Sequence, residues 1–246
     1  MINKIKDRVN KYVDGKLKKL LHKQRKINQI QFNDTQLKQL FADTSFYLPL
    51  TTWSMSPSTI VHVLNDIVVN DRKNIIEFGS GASTFYIAKL LKSNKIKASF
   101  YSVESNVEWA DKITKQLKLL GLTDYVTIIY APIQSIDKSL ALGEQKLWYD
   151  VAVLDTYFKT ENTIDLVLVD GPFGGLTPHA RYSAVPYLNG KLANTYSVFL
   201  DDINREDEGV ILKEWKDILQ CSNKKRFERY AVLSSQTNFF SKPLQI

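Results

Sequence analysis

The sequence predicts an α/β protein: an open, doubly wound, mostly parallel sheet with helices on both faces, preceded by an N-terminal basic amphipathic helix. Three observations carry this. From Leu48 onward, short runs rich in β-branched and aromatic residues alternate with helical patterns, the signature of a parallel sheet covered on both sides. Several of those runs end in acids and glycines, as in "IIEFGSG", "YSVES", "LVLVDG" and "VFLDD", and such sheets bind ligands beyond the carboxyl ends of their strands. The basic charge, finally, is confined to one end. The net charge is +7, yet residues 1–31 hold ten Lys/Arg against two Asp, leaving 23 basic and 24 acidic groups on the remaining 215 residues.

The elements follow in order. In the basic segment Ile2, Ile5, Val9, Tyr12, Val13, Leu17, Leu20, Leu21 and Ile27 recur at steps of three and four, one face of a helix. Gly15 weakens it by about 1 kcal/mol relative to alanine, so packing or a surface must help hold it. That partner is an anionic lipid surface or another protein, or else the helix packs on its own domain or on a second copy. The next helix spans Pro57–Val69, with Ser56 as cap and proline at the first helical position. The first strand is Asn74–Phe78, followed by a helix over Ala82–Leu91. The second is Ala98–Val103, with a helix over Val107–Leu120 closed by Gly121. The third is Tyr125–Tyr130. A less regular stretch, "APIQSIDKSLALGEQKLWYD", leads to a helix near Val151–Phe158. The fourth strand is Ile164–Val169, a helix covers Arg181–Leu188, the fifth strand is Ser197–Leu200, and a helix covers Glu206–Leu219. "RFERYAVLSS" and "NFFSKP" read as a closing antiparallel pair.

A length of 246 residues with 44% hydrophobic content supports one sizeable core. The chain is therefore divided into a helical arm, 1–47, and one domain, 48–246. No run reaches the eighteen apolar residues of a membrane span, no secretory signal core is present, and Cys221 is the single cysteine. These features predict a cytoplasmic protein, which the basic arm could hold at the inner face of a membrane.

"IIEFGSGAST" resembles a dinucleotide loop with the wrong parts. Gly79 and Gly81 occupy the first two glycine positions of G-x-G-x-x-G, but Thr84 stands at the third. Glu77 at the strand tip would repel a pyrophosphate but accept hydrogen bonds from an ammonium group. Glu104, 23 residues beyond Gly81, has the spacing at which an acid meets ribose hydroxyls. An amino group, a ribose and no phosphate together describe S-adenosylmethionine. Taken singly, the glycines could mark a tight turn and Glu104 could cap a helix.

"IIEFGSGAST", "YSVES", "YAPIQ", "IDLVLVDGPFG" and "VFLDDINREDE", in that order, resemble the motifs of class I S-adenosylmethionine-dependent methyltransferases over roughly Leu48–Ser241. "VDGPFG", "ARY" and "LDD" are similar to a bacterial group found alongside glycan biosynthesis. The resemblance implies a Rossmann-like sheet of seven strands in the order 3-2-1-4-5-7-6. It implies that Glu77 binds the methionine amino group, directly or through water, and Glu104 the ribose. Gly79, Ser80, Gly81, Ser83, Thr84, Ser105 and Asp170 belong to the same cofactor set. Ala131–Gln134 would lie along the adenine, and Trp53 and Ser56 would line the cofactor end of the pocket.

In that strand order the tips of strands one, four and five are neighbours, which brings Asp170, Asp201 and Asp202 together. Three converging carboxylates require something cationic between them, and Mg²⁺ with oxygen ligands fits. The acids are similar in place to those of catechol-type O-methyltransferases, which hold a metal there. This chain departs from that pattern by having Asp-Asp for Asp-Asn and "GPFGG" where a lysine is expected. In the alternative Asp202 caps a helix, Asp201 pairs with Arg181 or Arg205, and Asp170 opens a turn. His179 is the one histidine near this mouth and, with Asp170, the candidate base for removing a hydroxyl proton. The expected reaction is O-methylation of a small hydroxylated acceptor or a glycan sugar. A neutral body without a basic groove predicts no nucleic-acid partner. A non-catalytic cofactor-binding scaffold and a nucleic-acid methyltransferase are the other readings.

Overall fold

A computed structural model describes residues 2–159, 163–221, 223–235 and 238–244. Helix α1 (Ile2–Gln39) and helix α2 (Pro57–Val69) precede a sheet whose first strands are β1 (Asn74–Phe78), β2 (Ser99–Glu104) and β3 (Thr127–Tyr130), linked by α3 (Ala82–Ser93) and α4 (Val107–Leu119). A small hairpin, β4 (Ile133–Ser135) and β5 (Leu147–Tyr149), and α5 (Val151–Tyr157) come next. Then follow β6 (Ile164–Val169), α6 (Ala184–Leu188), β7 (Leu192–Leu200), α7 (Glu206–Ile218), β8 (Asn223–Arg226) and β9 (Ala231–Ser234). The main sheet has seven strands in the order β3-β2-β1-β6-β7-β9-β8. All pairs are parallel except those made by β9. This is the doubly wound architecture expected from the sequence, with the strand order that the family resemblance implies.

Alternation along the strands sends successive side chains to opposite faces, and two cores result. Ile75, Phe100, Leu166, Leu168 and Phe199 pack under α2 and α3. Ile76, Phe78, Val167, Val169 and Leu200 pack against Trp148, Leu154 and Trp215 on the other face. Ser56 caps α2, its hydroxyl accepting from the Thr59 amide at 3.1 Å, with Pro57 at the first helical position.

Four elements differ from expectation. The fifth main strand begins at Leu192, not Ser197, and the helix before it at Ala184, not Arg181. The irregular stretch after β3 folds back as the β4–β5 hairpin, with Gln134 opposite Trp148. The closing antiparallel pair lies earlier than predicted, because the chain reverses at Phe227–Tyr230, where the Phe227 amide donates to the Tyr230 carbonyl at 2.9 Å. "NFFSKP" is not a strand: the Asn238 side chain donates to the Tyr196 carbonyl at 2.8 Å, and the Phe239 amide to Asn70 Oδ1 at 2.7 Å.

The arm does not behave as one unit. Residues 10–28 of α1 are exposed throughout. From Gln29 onward the helix joins the body: Asn33 is buried and donates to Ser58 Oγ at 2.8 Å, and Leu37 and Phe41 enter the core under α2.

Candidate active site

The site starts with two backbones crossing. Gly79 has φ +97, and a β-carbon there would lie 2.8 Å from the Gly171 nitrogen. Only glycine tolerates both the turn and the approach. The Asp170 and Gly171 amides donate to the Phe78 carbonyl at 2.9 and 2.7 Å. The tips of β1 and β6 are thereby fastened together, and Asp170 stands beside the glycine loop.

Glu77 is fully buried, and its carboxylate accepts from the hydroxyls of Thr84 at 2.5 Å, Ser102 at 2.6 Å and Ser83. Burial pushes its pKa up to about 7, with the three hydroxyls opposing. It is absent from the cavity lining, which corrects the expectation that it holds an amino group directly. It ties the start of α3 to β2 and shapes the loop from beneath. Thr84 is also absent from the lining; its hydroxyl accepts from the Gly81 amide at 2.9 Å.

Above the strand tips lies a cavity of about 910 Å³. Gly79, Ser80, Gly81, Ser83, Glu104, Ser105, Asp170 and Trp53, all singled out from the sequence, line it. Glu104 Oε1 accepts from the Ser105 and Asn106 amides, each at 2.8 Å; burial raises its pKa against those bonds. Trp53 faces Phe173 across the mouth, ring centroids 5.6 Å apart. Besides Glu77 and Thr84, three more expected residues lie outside this lining. Ala131 is buried in the second core, Gln134 is taken up by the β4–β5 hairpin, and Ser56 caps α2 and lines a neighbouring cavity. The wall next to Glu104 is supplied by α4, whose Glu108, Trp109, Lys112 and Gln116 line the cavity. Trp109 Nε1 donates to the Ser80 carbonyl at 2.9 Å. The sequence carried a signal for this, since Glu108, Lys112 and Gln116 stand four apart on one helical face.

A second cavity of about 470 Å³ adjoins the first and shares Thr51, Ser54, Met55 and Arg229 with it. It opens between α1, the loop before α2 and the β8–β9 turn, an opening the sequence did not foreshadow.

Asp170, Asp201 and Asp202 do converge, with carboxylate oxygens within 4.8 Å of one another. The cation between them is guanidinium. Arg181 Nη2 donates to Asp170 Oδ1 at 3.0 Å and Asp202 Oδ2 at 3.2 Å. Arg229 Nη2 donates to Asp202 Oδ1 at 2.8 Å, and Arg205 Nη2 lies 2.8 Å from Asp202 Oδ2. Both oxygens of Asp202 are committed, and three positive charges surround the acids, so this donor set does not fit a divalent ion. That corrects the expectation of Mg²⁺. Burial opposes the charge on Asp202, yet the three arginines hold its pKa below the usual carboxylate value. Burial raises Asp170 against the pull of Arg181. Burial, together with the neighbouring acids Asp170 and Asp202, pushes Asp201 up to about 7.

His179 is not brought to the cavity. It adopts φ +54, its amide donates to Asp207 Oδ2 at 2.9 Å, and its Nε2 lies 3.9 Å from Asp207 Oδ1. It therefore belongs to the start of α7, which leaves Asp170 as the candidate base.

A family model described as "Methyltransferase domain" matches residues 76–203. Among curated proteins no sequence matches significantly. The fold is similar to that of a candidate caffeoyl-CoA O-methyltransferase from Staphylococcus aureus, with TM-score 0.53, 15% identity, and coverage of 87% of this chain and 98% of that one. It is similar also to a candidate O-methyltransferase from Klebsiella pneumoniae, with TM-score 0.51, 11% identity, and coverage of 85% and 88%. The METTL16 methyltransferase domain gives TM-score 0.51 at 17% identity, with coverage of 82% and 78%. At these identities the likeness is one of fold. The family match spans more than half of the chain, and the chain belongs to the methyltransferase-domain family of S-adenosylmethionine-dependent enzymes.

Proposed function

We propose that the protein transfers a methyl group from S-adenosylmethionine to a hydroxyl oxygen of a small acceptor, such as a sugar of a glycan, without a divalent metal. The carrying observation is Asp170: a carboxylate of raised pKa in the wall of the same cavity as the glycine loop and Glu104. The loop Gly79–Gly81 borders the cavity, with open space at the Gly81 α-carbon, and Glu104 offers a carboxylate at the ribose position. These residues fit an amino-acid nucleoside. When bound, that cofactor supplies a methyl group on a sulfonium; the sulfur–carbon bond breaks as the oxygen–carbon bond forms, and adenosylhomocysteine is left.

The chain's own residues then have separate tasks. Gly79–Gly81 and Glu104 hold the nucleoside, while Trp53 and Phe173 shield the mouth from water. Asp170 accepts the hydroxyl proton, and its raised pKa makes it a stronger base than an exposed carboxylate. Arg181 orients that carboxylate through the 3.0 Å bond. In-line transfer requires the acceptor oxygen about 3–3.5 Å from the methyl carbon; the adjoining second cavity gives the acceptor room to approach.

The test is label transfer from methyl-labelled S-adenosylmethionine to a panel of hydroxylated sugars and phenols. Asp170→Asn is expected to lower turnover by about 10²–10⁴-fold while calorimetric uptake of adenosylhomocysteine stays within about threefold. Full turnover in that variant moves the base elsewhere; no saturable heat with adenosylhomocysteine ends the cofactor reading.

A further inference from the structure

We propose that the exposed part of α1 is a docking surface for an anionic lipid bilayer, lying in its interface with Tyr12, Val13, Leu17, Leu20 and Leu21 immersed. Those side chains are 63%, 53%, 51%, 64% and 51% exposed. Among the described residues the apolar side of the helix therefore does not pack on its own domain, and contact with the body begins at the Lys26–Glu228 ion pair. Residues 10–28 form a rod of about 28 Å at the α-helical rise, exposed on every side. An apolar stripe of this length on a soluble surface calls for a covering.

The charge identifies what covers it. Lys11, Lys18 and Arg25 recur every seven residues on one side, and Val13, Leu20 and Ile27 recur every seven on the opposite side. Lys16 and Lys23 stand between Tyr12 and the line of Val13, Leu20 and Ile27, where long stems let the ammonium groups reach lipid phosphates while the helix sinks. An apolar face beneath a lysine-rich one is the arrangement of helices that lie in a membrane interface. Among the described residues no helix is long and apolar enough to cross a membrane, so the helix lies on the bilayer and does not span it.

A second copy of the chain fits less well. A seam through Val13, Leu20 and Ile27 places Asn10, Leu17, Gln24 and Gln31 at the alternate core positions, which breaks a coiled-coil pattern. Lys16 and Lys23 would then flank that seam on both partners. A nucleic acid would engage the lysines and leave the apolar stripe in water.

Flotation of the full chain with phosphatidylcholine vesicles, with and without phosphatidylglycerol, tests this. Recruitment is expected to phosphatidylglycerol vesicles and to weaken with salt. Lys16→Ala with Lys23→Ala should reduce it by about 25-fold, on the order of fivefold per basic residue. Leu17→Glu with Leu20→Glu should reduce it by more than about tenfold per leucine, at an unchanged thermal midpoint, since both positions are exposed. The proposal is overturned by absence of recruitment, by equal recruitment to phosphatidylcholine alone, or by unchanged recruitment of the leucine variant. A dimer in light scattering that the leucine variant dissociates, without vesicle capture, overturns it in favour of self-association.

Discussion

Glu77 is a carboxylate enclosed by three hydroxyls and no cation, and that makes it a pH-dependent element of stability. Its pKa rises from 4.5 to about 7 because burial penalises the charge more than the hydroxyls relieve it. A raised folded-state pKa means that the protonated form is favoured in the fold. The stability it contributes is complete below about pH 4.5 and is lost as pH rises through about 7. Between about pH 5 and pH 8 the loss is roughly 2 kcal/mol, with Asp201 acting in the same direction. Glu77→Gln should flatten this slope by that amount in urea titrations at the two pH values. An unaltered slope would mean that the carboxylate is far better solvated than its enclosure indicates. The position of an acid before the glycines was legible in the text; the direction of its carboxylate was not, because Ser102 comes from another strand and turns it away from the cavity.

The elements divide by whether their signal was local. Helices α2 and α4 and strands β1 and β6 begin where cap, proline and apolar alternation place them. The β8–β9 hairpin was misplaced because its turn, Phe-Glu-Arg-Tyr, carries no glycine, proline or asparagine, and β8 is a lysine-rich edge strand with an exposed face. Such edges resist pairing with other chains, and the same lysines hide them from an apolar pattern. Helix α1 shows two regimes on one continuous element. Leu37, buried at 1% exposure, should cost about 2–5 kcal/mol on replacement by alanine. Leu20→Ala, on the exposed part, should stay within about 0.5 kcal/mol. Chemical denaturation of both variants checks this; a comparable loss at Leu20 would show that the free half of the helix is packed after all.

At the level of the whole protein, two cores clamp the sheet while the strand tips remain open to a cavity built from loops. A ligand seated there binds the folded state alone and stabilises it by mass action. Adenosylhomocysteine at about 100 times its dissociation constant adds about 2.7 kcal/mol, which for a chain of this length raises Tm by roughly 5–10 °C. The arginine-filled acid cluster adds a second expectation: dialysis against EDTA should leave both that shift and methyl transfer unchanged. Activity lost to EDTA and restored by Mg²⁺ would return the metal to the site.

The fold class and the glycine–acid loop were written in local patterns, since strand alternation, helical periodicity and turn chemistry depend on near neighbours; the strand order came only from the family resemblance. Those patterns, with the ordered motifs, were enough to reach the methyltransferase family. Side-chain partners were another matter. Asp170, Asp201 and Asp202 look like metal ligands along the chain, and the arginines that neutralise them come from the β6–α6 loop, the start of α7 and the β8–β9 turn. His179 reads as a base until folding carries it to Asp207. A carboxylate's role depends on which charges lie within a few ångströms, and that distance is set by packing of elements remote in sequence.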